Sequence, residues 1–170
     1  MSDPTTAPPI EHYKQLSREE RLARIAHAPG ELARAIEGRG EATLARRPDA
    51  KNWAPVEVIC HLRGNEEWFL IRLQQIMLMH EPRFVTTSQD RWAEDRQYLK
   101  NDARLAIEAF ARSRAESLAF FRGLDSDDWK RAGFHSDARG RRTIDGFLTV
   151  MAWHDDNHLA QLRRALEGRA

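Results

Sequence analysis

Apolar residues recur at steps of three and four along most of the chain, a pattern typical of helices that bury one face. The clearest example lies between Pro55, which suits a first helical turn, and Pro82, which cannot continue a helix. Its stripe carries polar as well as apolar side chains, namely Val58, His61, Leu62, Asn65, Phe69, Arg72, Leu73 and Ile76. We therefore predict a long helix over about 55–79 with a histidine on its apolar face.

Capping residues and the same spacing indicate three more helices, over 17–38, 102–121 and 143–168. Ser17 and Glu20 have the spacing of a capping box, and Pro29 should interrupt or kink the helix that follows. Leu105 is one of the apolar positions of the helix over 102–121, and Thr143 is a suitable N-cap for the last helix. No segment shows the alternation of apolar and polar residues that is typical of a strand.

Four main helices in 170 residues indicate an all-α fold, a four-helix bundle. Residues 1–12, which begin MSDPTTAPP, are polar and rich in proline, and we expect a disordered tail there and a single domain over 13–170. About twenty residues separate the second helix from the third. Connections in bundles are usually shorter, so this segment predicts a long crossover, with one short helix around Trp92 to Leu99.

Composition excludes several classes of function. The formal net charge of +1 gives no support for nucleic acid or an anionic membrane as a partner, and we expect neither. No run approaches the ~18 consecutive apolar residues of a membrane span. Cys60 is the single cysteine, so no intrachain disulfide can form and nothing indicates an oxidising compartment. We expect a cytoplasmic protein.

The candidate chemistry begins with two histidines in MAWHDDNHLAQLRRAL, residues 151–166. His154 and His158 are four residues apart on the apolar stripe of the last helix, where Cβ atoms are roughly 5–6 Å apart. Both could be partly buried and hydrogen-bonded, but burying two imidazoles without a partner is costly. His61, on the stripe of another helix, offers a third nitrogen. Three histidines leave an open coordination position, the arrangement of a catalytic zinc site.

Other metal motifs fit less well. A thermolysin-like site needs Glu where Asp155 stands, and a di-iron bundle needs several Glu-x-x-His pairs, whereas Glu57 and His61 are four residues apart. Asn65, one turn beyond His61, could line the site. Asp155 and Asp156 could each orient an imidazole, or be solvated.

The remaining histidines and the cysteine have simpler interpretations. His12, His27 and His80 lie near the tail, at a helix break and at a helix end, and no role is assigned to them. His135, in the loop before the last helix, could approach a site at the end of the bundle. Cys60 projects ~100° away from His61 on the helix and is predicted to be a small buried hydrophobic residue.

Two segments together, NWAPVEVICHLRGNEEWFLIRL and GRRTIDGFLTVMAWHDDNHLAQLRRAL, resemble the DinB-like (damage-inducible) superfamily. The shared pattern is a Trp, a Pro, a Glu-Val step and a His on the second helix, then His-x-x-x-His followed by Gln-Leu on the fourth. The resemblance covers about residues 17–168. It implies helices in up-down-down-up order, a divalent metal, often zinc or nickel, held by His61, His154 and His158, and a homodimer.

The resemblance also implies a range of activities. Relatives include thiol S-transferases that use bacillithiol or glutathione and a mycothiol-dependent maleylpyruvate isomerase, in which the metal binds a low-molecular-weight thiol. We therefore expect a metal-dependent thiol transferase that acts on a small electrophile, with Arg72, Arg139 or Arg141 holding carboxylates of thiol or substrate. Two alternatives stay open. One is a metal-dependent hydrolase with Asp155 or Asp156 as base, and the other is a stress-response metal-binding protein without turnover.

Overall fold

The computed structural model describes residues 5–86, 88–137 and 139–170. Its helices are α1 (Ile10–Gln15), α2 (Arg18–Ala35), α3 (Glu41–Leu44), α4 (Pro55–Leu78), α5 (Gln89–Asp95), α6 (Ala103–Arg122) and α7 (Ile144–Leu166). Its strands are β1 (Arg83–Phe84), β2 (Ala132–His135) and β3 (Arg141–Thr143), and two 3-10 turns lie at Tyr98–Lys100 and Asp128–Lys130. The four long helices α2, α4, α6 and α7 form the predicted four-helix bundle.

Contacts between α2 and α7, the first and last of the four long helices, show that these two helices run parallel. Arg18 Nε donates to Asp145 Oδ1 over 2.8 Å, and Arg24 Nε donates to Asp156 Oδ1 over 2.6 Å. In contrast, α4 runs antiparallel to α7, since contacts later in α4 are made earlier in α7. The ring centroid of Phe69, for example, lies 6.2 Å from that of Phe147.

The middle helices α4 and α6 run in the same direction. Cys60 Sγ lies 4.0 Å from the carbonyl oxygen of Tyr98, just before α6, and Arg114 within α6 forms an ion pair with Glu66 further along α4. The order is therefore up-down-down-up, and residues 79–102 make the predicted long crossover. They contain β1, α5 and the first 3-10 turn.

The helix starts follow the capping signals of the sequence. Ser17 Oγ accepts from the backbone N–H of Glu20, whose carboxylate accepts from the backbone N–H of Ser17. Thr143 Oγ1 accepts from the backbone N–H of Gly146, as expected of an N-cap. The helix α2 continues through Pro29, where the sequence predicted an interruption or a kink, and ends at Ala35.

Three sequence predictions are corrected by the structure. Residues 10–12 belong to α1 and not to a disordered tail, because the buried Tyr13 anchors this helix to Asp156 of α7. Residues 1–4 of that tail lie outside the described residues. Leu105, predicted as one of the apolar positions of its helix, is 62% exposed. A three-stranded sheet is also present, in the order β1-β2-β3, with β1 parallel and β3 antiparallel to β2.

The small sheet escaped prediction because strands of two to four residues are too short to show alternation. It packs against α4 and α7, where Phe84 of β1 lies 5.9 Å from Phe147 of α7 between ring centroids. Within the described ranges, no helix is both long enough and apolar enough to cross a membrane.

Candidate metal centre

Three imidazoles from two helices meet inside the bundle. His61 extends from α4, and His154 and His158 extend from successive turns of α7. The Nε2 atoms of His61 and His154 are 3.2 Å apart, and one ring nitrogen from each of the three histidines lies within 4.8 Å of the others. The antiparallel pairing of α4 and α7 therefore brings together the three residues that the sequence grouped.

The surroundings keep these imidazoles neutral. His61 and His154 are buried, and burial holds the pKa of each well below its usual range, with a further lowering by the neighbouring His158. Burial also lowers the pKa of the half-buried His158 to about 4. A neutral imidazole has a nitrogen lone pair at neutral pH, which is the form that binds a metal.

His158 has a partner that fixes its tautomer. The Nδ1 of His158 lies 2.7 Å from Oε1 of Gln161, and an amide oxygen can only accept, so Nδ1 carries the proton. The Nε2 lone pair is therefore left for a ligand. Gln161 is not among the residues predicted to form the site, although its position three residues after His158 on one helical face was the available signal.

An amide and two aromatic rings enclose the other imidazoles. Asn65 Nδ2 lies 2.9 Å from His61 Nε2 and donates to the His61 carbonyl oxygen over 3.2 Å. The Trp53 ring lies 4.9 Å from that of His61, and the rings of Phe69 and His154 are nearly perpendicular at a centroid distance of 5.8 Å. Asn65 therefore lies at the site, as the sequence analysis suggested, and Trp53 is an additional neighbour.

The two aspartates beside the ligand positions are held by other residues. Asp155 forms an ion pair with Arg114 of α6, which also binds Glu66, and all three side chains are buried. Asp156 accepts from the Tyr13 hydroxyl over 2.5 Å and forms an ion pair with Arg24. These carboxylates tie α7 to α1, α2 and α6, and neither forms a hydrogen bond to an imidazole in the described part of the chain.

The three arginines proposed from the sequence have different environments. Arg72 is buried and donates to the carbonyl oxygen of Val85 over 3.3 Å. Arg139 and Arg141 are more exposed and form ion pairs, with Asp137 and Glu81 respectively. Only Arg72 is both buried and without a carboxylate partner among the described residues.

Cys60 and His135 are both buried, but they do not join the cluster. Burial raises the pKa of the Cys60 thiol to about 11, so it is protonated and unreactive at neutral pH. His135 packs between Phe84 and Phe147, at ring-centroid distances of 5.4 and 5.8 Å.

The donor set suits a divalent metal such as zinc or nickel. It consists of three neutral imidazole nitrogens, and among the residues that the structure describes no carboxylate or thiol joins them. Imidazole is a common ligand of zinc and nickel, and three protein ligands are the set found in catalytic zinc sites. The residues present therefore fit such an ion.

Comparison with known sequences finds one matching family and one named relative. The sequence matches the DinB superfamily over residues 6–162. It is 21% identical over 160 residues to a Bacillus subtilis (strain 168) protein named "Putative metal-dependent hydrolase YfiT", and the match covers 91% of this chain and 90% of YfiT.

Two solved structures share the fold. That of YfiT, described as having an unusual four-helix bundle topology, superposes with a TM-score of 0.84 at 18% identity, over 97% of this chain and 95% of YfiT. That of the mycothiol-dependent maleylpyruvate isomerase superposes with a TM-score of 0.63 at 16% identity, over 86% of this chain and 59% of the isomerase. Because the family match spans most of the sequence, this chain belongs to the DinB superfamily.

Proposed function

We propose that the protein is a metal-dependent thiol S-transferase that joins a low-molecular-weight thiol to a small electrophile. One observation carries this proposal. Three neutral imidazoles converge within 4.8 Å, while Asp155 and Asp156, the carboxylates next to them in sequence, are both neutralised by arginines. The site therefore offers nitrogen ligands without a general base. A thiol that ionises on a metal needs no base, whereas the attack of water benefits from one.

The protein side chains hold the reacting groups. His61, His154 and His158 would hold the ion, and Gln161 keeps the His158 ring in the tautomer that presents Nε2. When bound, a divalent metal lowers the pKa of a coordinated thiol and makes it nucleophilic at neutral pH. Trp53 packs against His61 and Phe69 against His154, so both imidazoles have an aromatic neighbour. Asn65 has an amide that can donate a hydrogen bond to a bound ligand.

A metal-dependent hydrolase is the second candidate, because the relative YfiT is named as one. This activity would use the same three histidines and an activated water molecule. Asp155 or Asp156 would have to leave an arginine to act as the base. A protein that binds the metal without turnover is the third candidate.

Metal content is the first measurement. Untagged protein should contain about one zinc or nickel ion per chain by elemental analysis, and His158→Ala should lose it because two imidazoles bind too weakly. His80→Ala is the matched control, since His80 is an exposed histidine outside the cluster and should leave the metal content unchanged. Equal metal content in His158→Ala and the wild type would remove His158 as a ligand.

Turnover distinguishes the three candidates. We expect the protein to consume 1-chloro-2,4-dinitrobenzene only with bacillithiol, mycothiol or glutathione present; a sulfur–carbon bond forms, chloride leaves and the thiol proton passes to solvent. Hydrolysis of 4-nitrophenyl acetate without thiol would favour the hydrolase. Neither activity in metal-loaded protein, with His61→Ala as the metal-poor reference, would favour binding without turnover.

The homodimer and the cytoplasmic location also remain proposals. The family resemblance supports the homodimer, and the single cysteine supports the cytoplasmic location. Light scattering coupled to size-exclusion chromatography would test the first, with twice the chain mass of 19.7 kDa as the expected result. A mass of one chain at micromolar concentration would contradict it.

A further inference from the structure

A second polar cluster lies where the small sheet meets α4 and α7. It consists of Arg72 from α4, His135 from β2 and Arg142 from β3, around two phenylalanines. The Phe84 ring lies 5.4 Å from the His135 ring and 5.6 Å from the Arg72 guanidinium. The Phe147 ring lies 5.8 Å from the His135 ring and 5.6 Å from the Arg142 guanidinium. The three polar groups thus share one aromatic surface.

Two of these groups are buried with unsatisfied hydrogen-bonding atoms. His135 is 5% exposed, and neither of its ring nitrogens has a partner in the described part of the chain. Arg72 is 9% exposed, and its Nε also has no partner there. A buried donor without an acceptor costs roughly 1–3 kcal/mol, so such groups are normally paired in native proteins.

The cluster also carries positive charge that the nearby carboxylate of Asp137 balances only in part. Within the described ranges, neither Arg72 nor Arg142 forms an ion pair, and the nearby carboxylate of Asp137 is bound by Arg139. Burial, Arg139 and Arg142 lower the pKa of Arg72, and burial and Arg139 lower that of Arg142. Two arginines in partly buried positions therefore lack the anion that would compensate their desolvation.

The cluster and the three-histidine site lie along the same pair of helices. On α4, His61 and Arg72 are eleven residues apart on one stripe, a rise of about 16 Å along the backbone. The Arg72 side chain closes part of this distance, because its guanidinium lies over the Trp68 ring, one turn nearer to His61. Phe69 lies between them and contacts both His154 and Phe147. Phe147 in turn contacts His135. An apolar surface of phenylalanines thus connects the two groups of polar side chains.

We propose that Arg72, His135 and Arg142 bind the carboxylate of a small organic molecule whose other end reaches the three-histidine site. Guanidinium groups bind carboxylates through parallel hydrogen bonds, and a neutral imidazole donates one more. The phenylalanines would contact the carbon framework between the two ends, which favours an organic carboxylate over inorganic phosphate. Whether this molecule is the thiol or the electrophile rests on the proposed function. The binding of a carboxylate by the cluster does not depend on it.

The cluster contains Arg142, whereas the sequence suggested its neighbour Arg141. Arg141 faces outward and pairs with Glu81, whereas Arg142 lies over Phe147. The two neighbours therefore form a matched pair of variants with the same change in charge. Arg142→Gln removes a charge from the proposed pocket, and Arg141→Gln removes one outside it.

Binding can be measured without turnover. Benzoate would be titrated into zinc-loaded full-length protein while the ring resonances of His135 are followed by nuclear magnetic resonance. We expect saturable shifts in wild type and Arg141→Gln, and affinity weakened about tenfold or more in Arg142→Gln and Arg72→Gln.

No saturable shift at His135, stronger binding of inorganic phosphate than of benzoate, or equal affinities in Arg141→Gln and Arg142→Gln would overturn the proposal. Circular dichroism establishes whether Arg72→Gln folds, and Arg142→Gln carries the test if it does not.

Steady-state kinetics identify the source of the carboxylate. If the thiol supplies it, Arg142→Gln should raise the KM for glutathione but not for 2-mercaptoethanol, which has no carboxylate. If the electrophile supplies it, the KM for 4-chloro-3-nitrobenzoate should rise but not that for 1-chloro-2,4-dinitrobenzene. Unchanged KM values for every carboxylate-bearing substrate would overturn the proposal. Benzoate binding without any thiol-dependent turnover would instead contradict the proposed function.

Discussion

Arg114 shows how strongly a single buried charge can matter to this fold. It is 2% exposed, and it donates to Asp155 Oδ1 over 3.0 Å, to Glu66 Oε2 over 2.7 Å and to the backbone carbonyl of Ile25 over 2.6 Å. One guanidinium thereby joins three long helices of the bundle, α2, α4 and α7, to its own helix, α6. It also fixes the residue next to His154, which keeps this part of α7 in place.

Replacing Arg114 should therefore be costly. We expect Arg114→Met to lower the free energy of unfolding by about 3–5 kcal/mol, because two buried carboxylates lose their counter-charge. Urea denaturation of metal-free protein would measure the loss. Arg112→Met removes an exposed arginine from the same helix and should change stability by no more than about 0.5 kcal/mol. Equal losses in both variants would contradict a special role for Arg114.

Cys60 has a thiol, a reactive group, but its buried environment makes the thiol unreactive. It is completely buried, and burial raises the pKa of its thiol to about 11. We expect Cys60→Ala to leave thiol-dependent turnover unchanged and wild-type protein to react with iodoacetamide only after denaturation. Rapid modification of the native protein, or loss of turnover in Cys60→Ala, would show that the nucleophile belongs to the chain.

At the scale of elements, the crossover is docked onto α4 at a glycine. A Cβ at Gly64 would lie 2.6 Å from the Tyr98 hydroxyl and 3.5 Å from the Trp92 ring. Tyr98 is 1% exposed, and its hydroxyl has no partner among the described residues. The absence of a side chain at Gly64 thus lets the crossover pack closely against the helix that carries His61.

Alanine at Gly64 should destabilise the protein although alanine favours helices. Overpacking costs about 1–3 kcal/mol, which exceeds the gain of about 1 kcal/mol in helix propensity. Tyr98→Phe removes the clashing oxygen and should restore most of the loss in the double variant. Gly30→Ala is the control, since its Cβ would meet only the flexible Arg34 side chain at 3.4 Å, and it should stabilise α2. Thermal unfolding would compare the wild type, Gly64→Ala, the double variant Gly64→Ala/Tyr98→Phe, and Gly30→Ala.

The type of secondary structure also determines how much of the fold and the site could be predicted from the sequence. The long helices and the Thr143 cap depend on local patterns, so helical spacing alone grouped His61 with His154 and His158. The sheet depends on pairing between distant residues, such as Phe84 with His135, and its strands are too short to show a period. Side chains alternate between faces of a strand, so without β3 the inward Arg142 could not be distinguished from the outward Arg141.

For the whole molecule, buried histidines make stability depend on pH. The pKa of His135 and of His158 is lowered to about 4, mainly by burial, and burial lowers that of His61 and His154 further. Below about pH 6.5 the unfolded chain binds protons at these positions that the folded chain does not. Stability is therefore lost as the pH falls from about 6.5 towards the folded pKa values, by up to about 1.4 kcal/mol per pH unit and histidine.

One buried carboxylate acts in the opposite direction. Burial raises the pKa of Asp155 to about 6 despite Arg114, so this group favours the folded state as the pH falls from about 6 to 4. Four histidines outweigh one carboxylate, so metal-free protein should lose about 3–4 kcal/mol between pH 6 and pH 5. Urea denaturation at each pH would measure this. Zinc should reduce the loss, because an ion that binds only the folded state stabilises it and keeps the histidines unprotonated. Stability that stays constant or rises towards pH 5 in metal-free protein would show that these histidines are accessible to protons in the folded state.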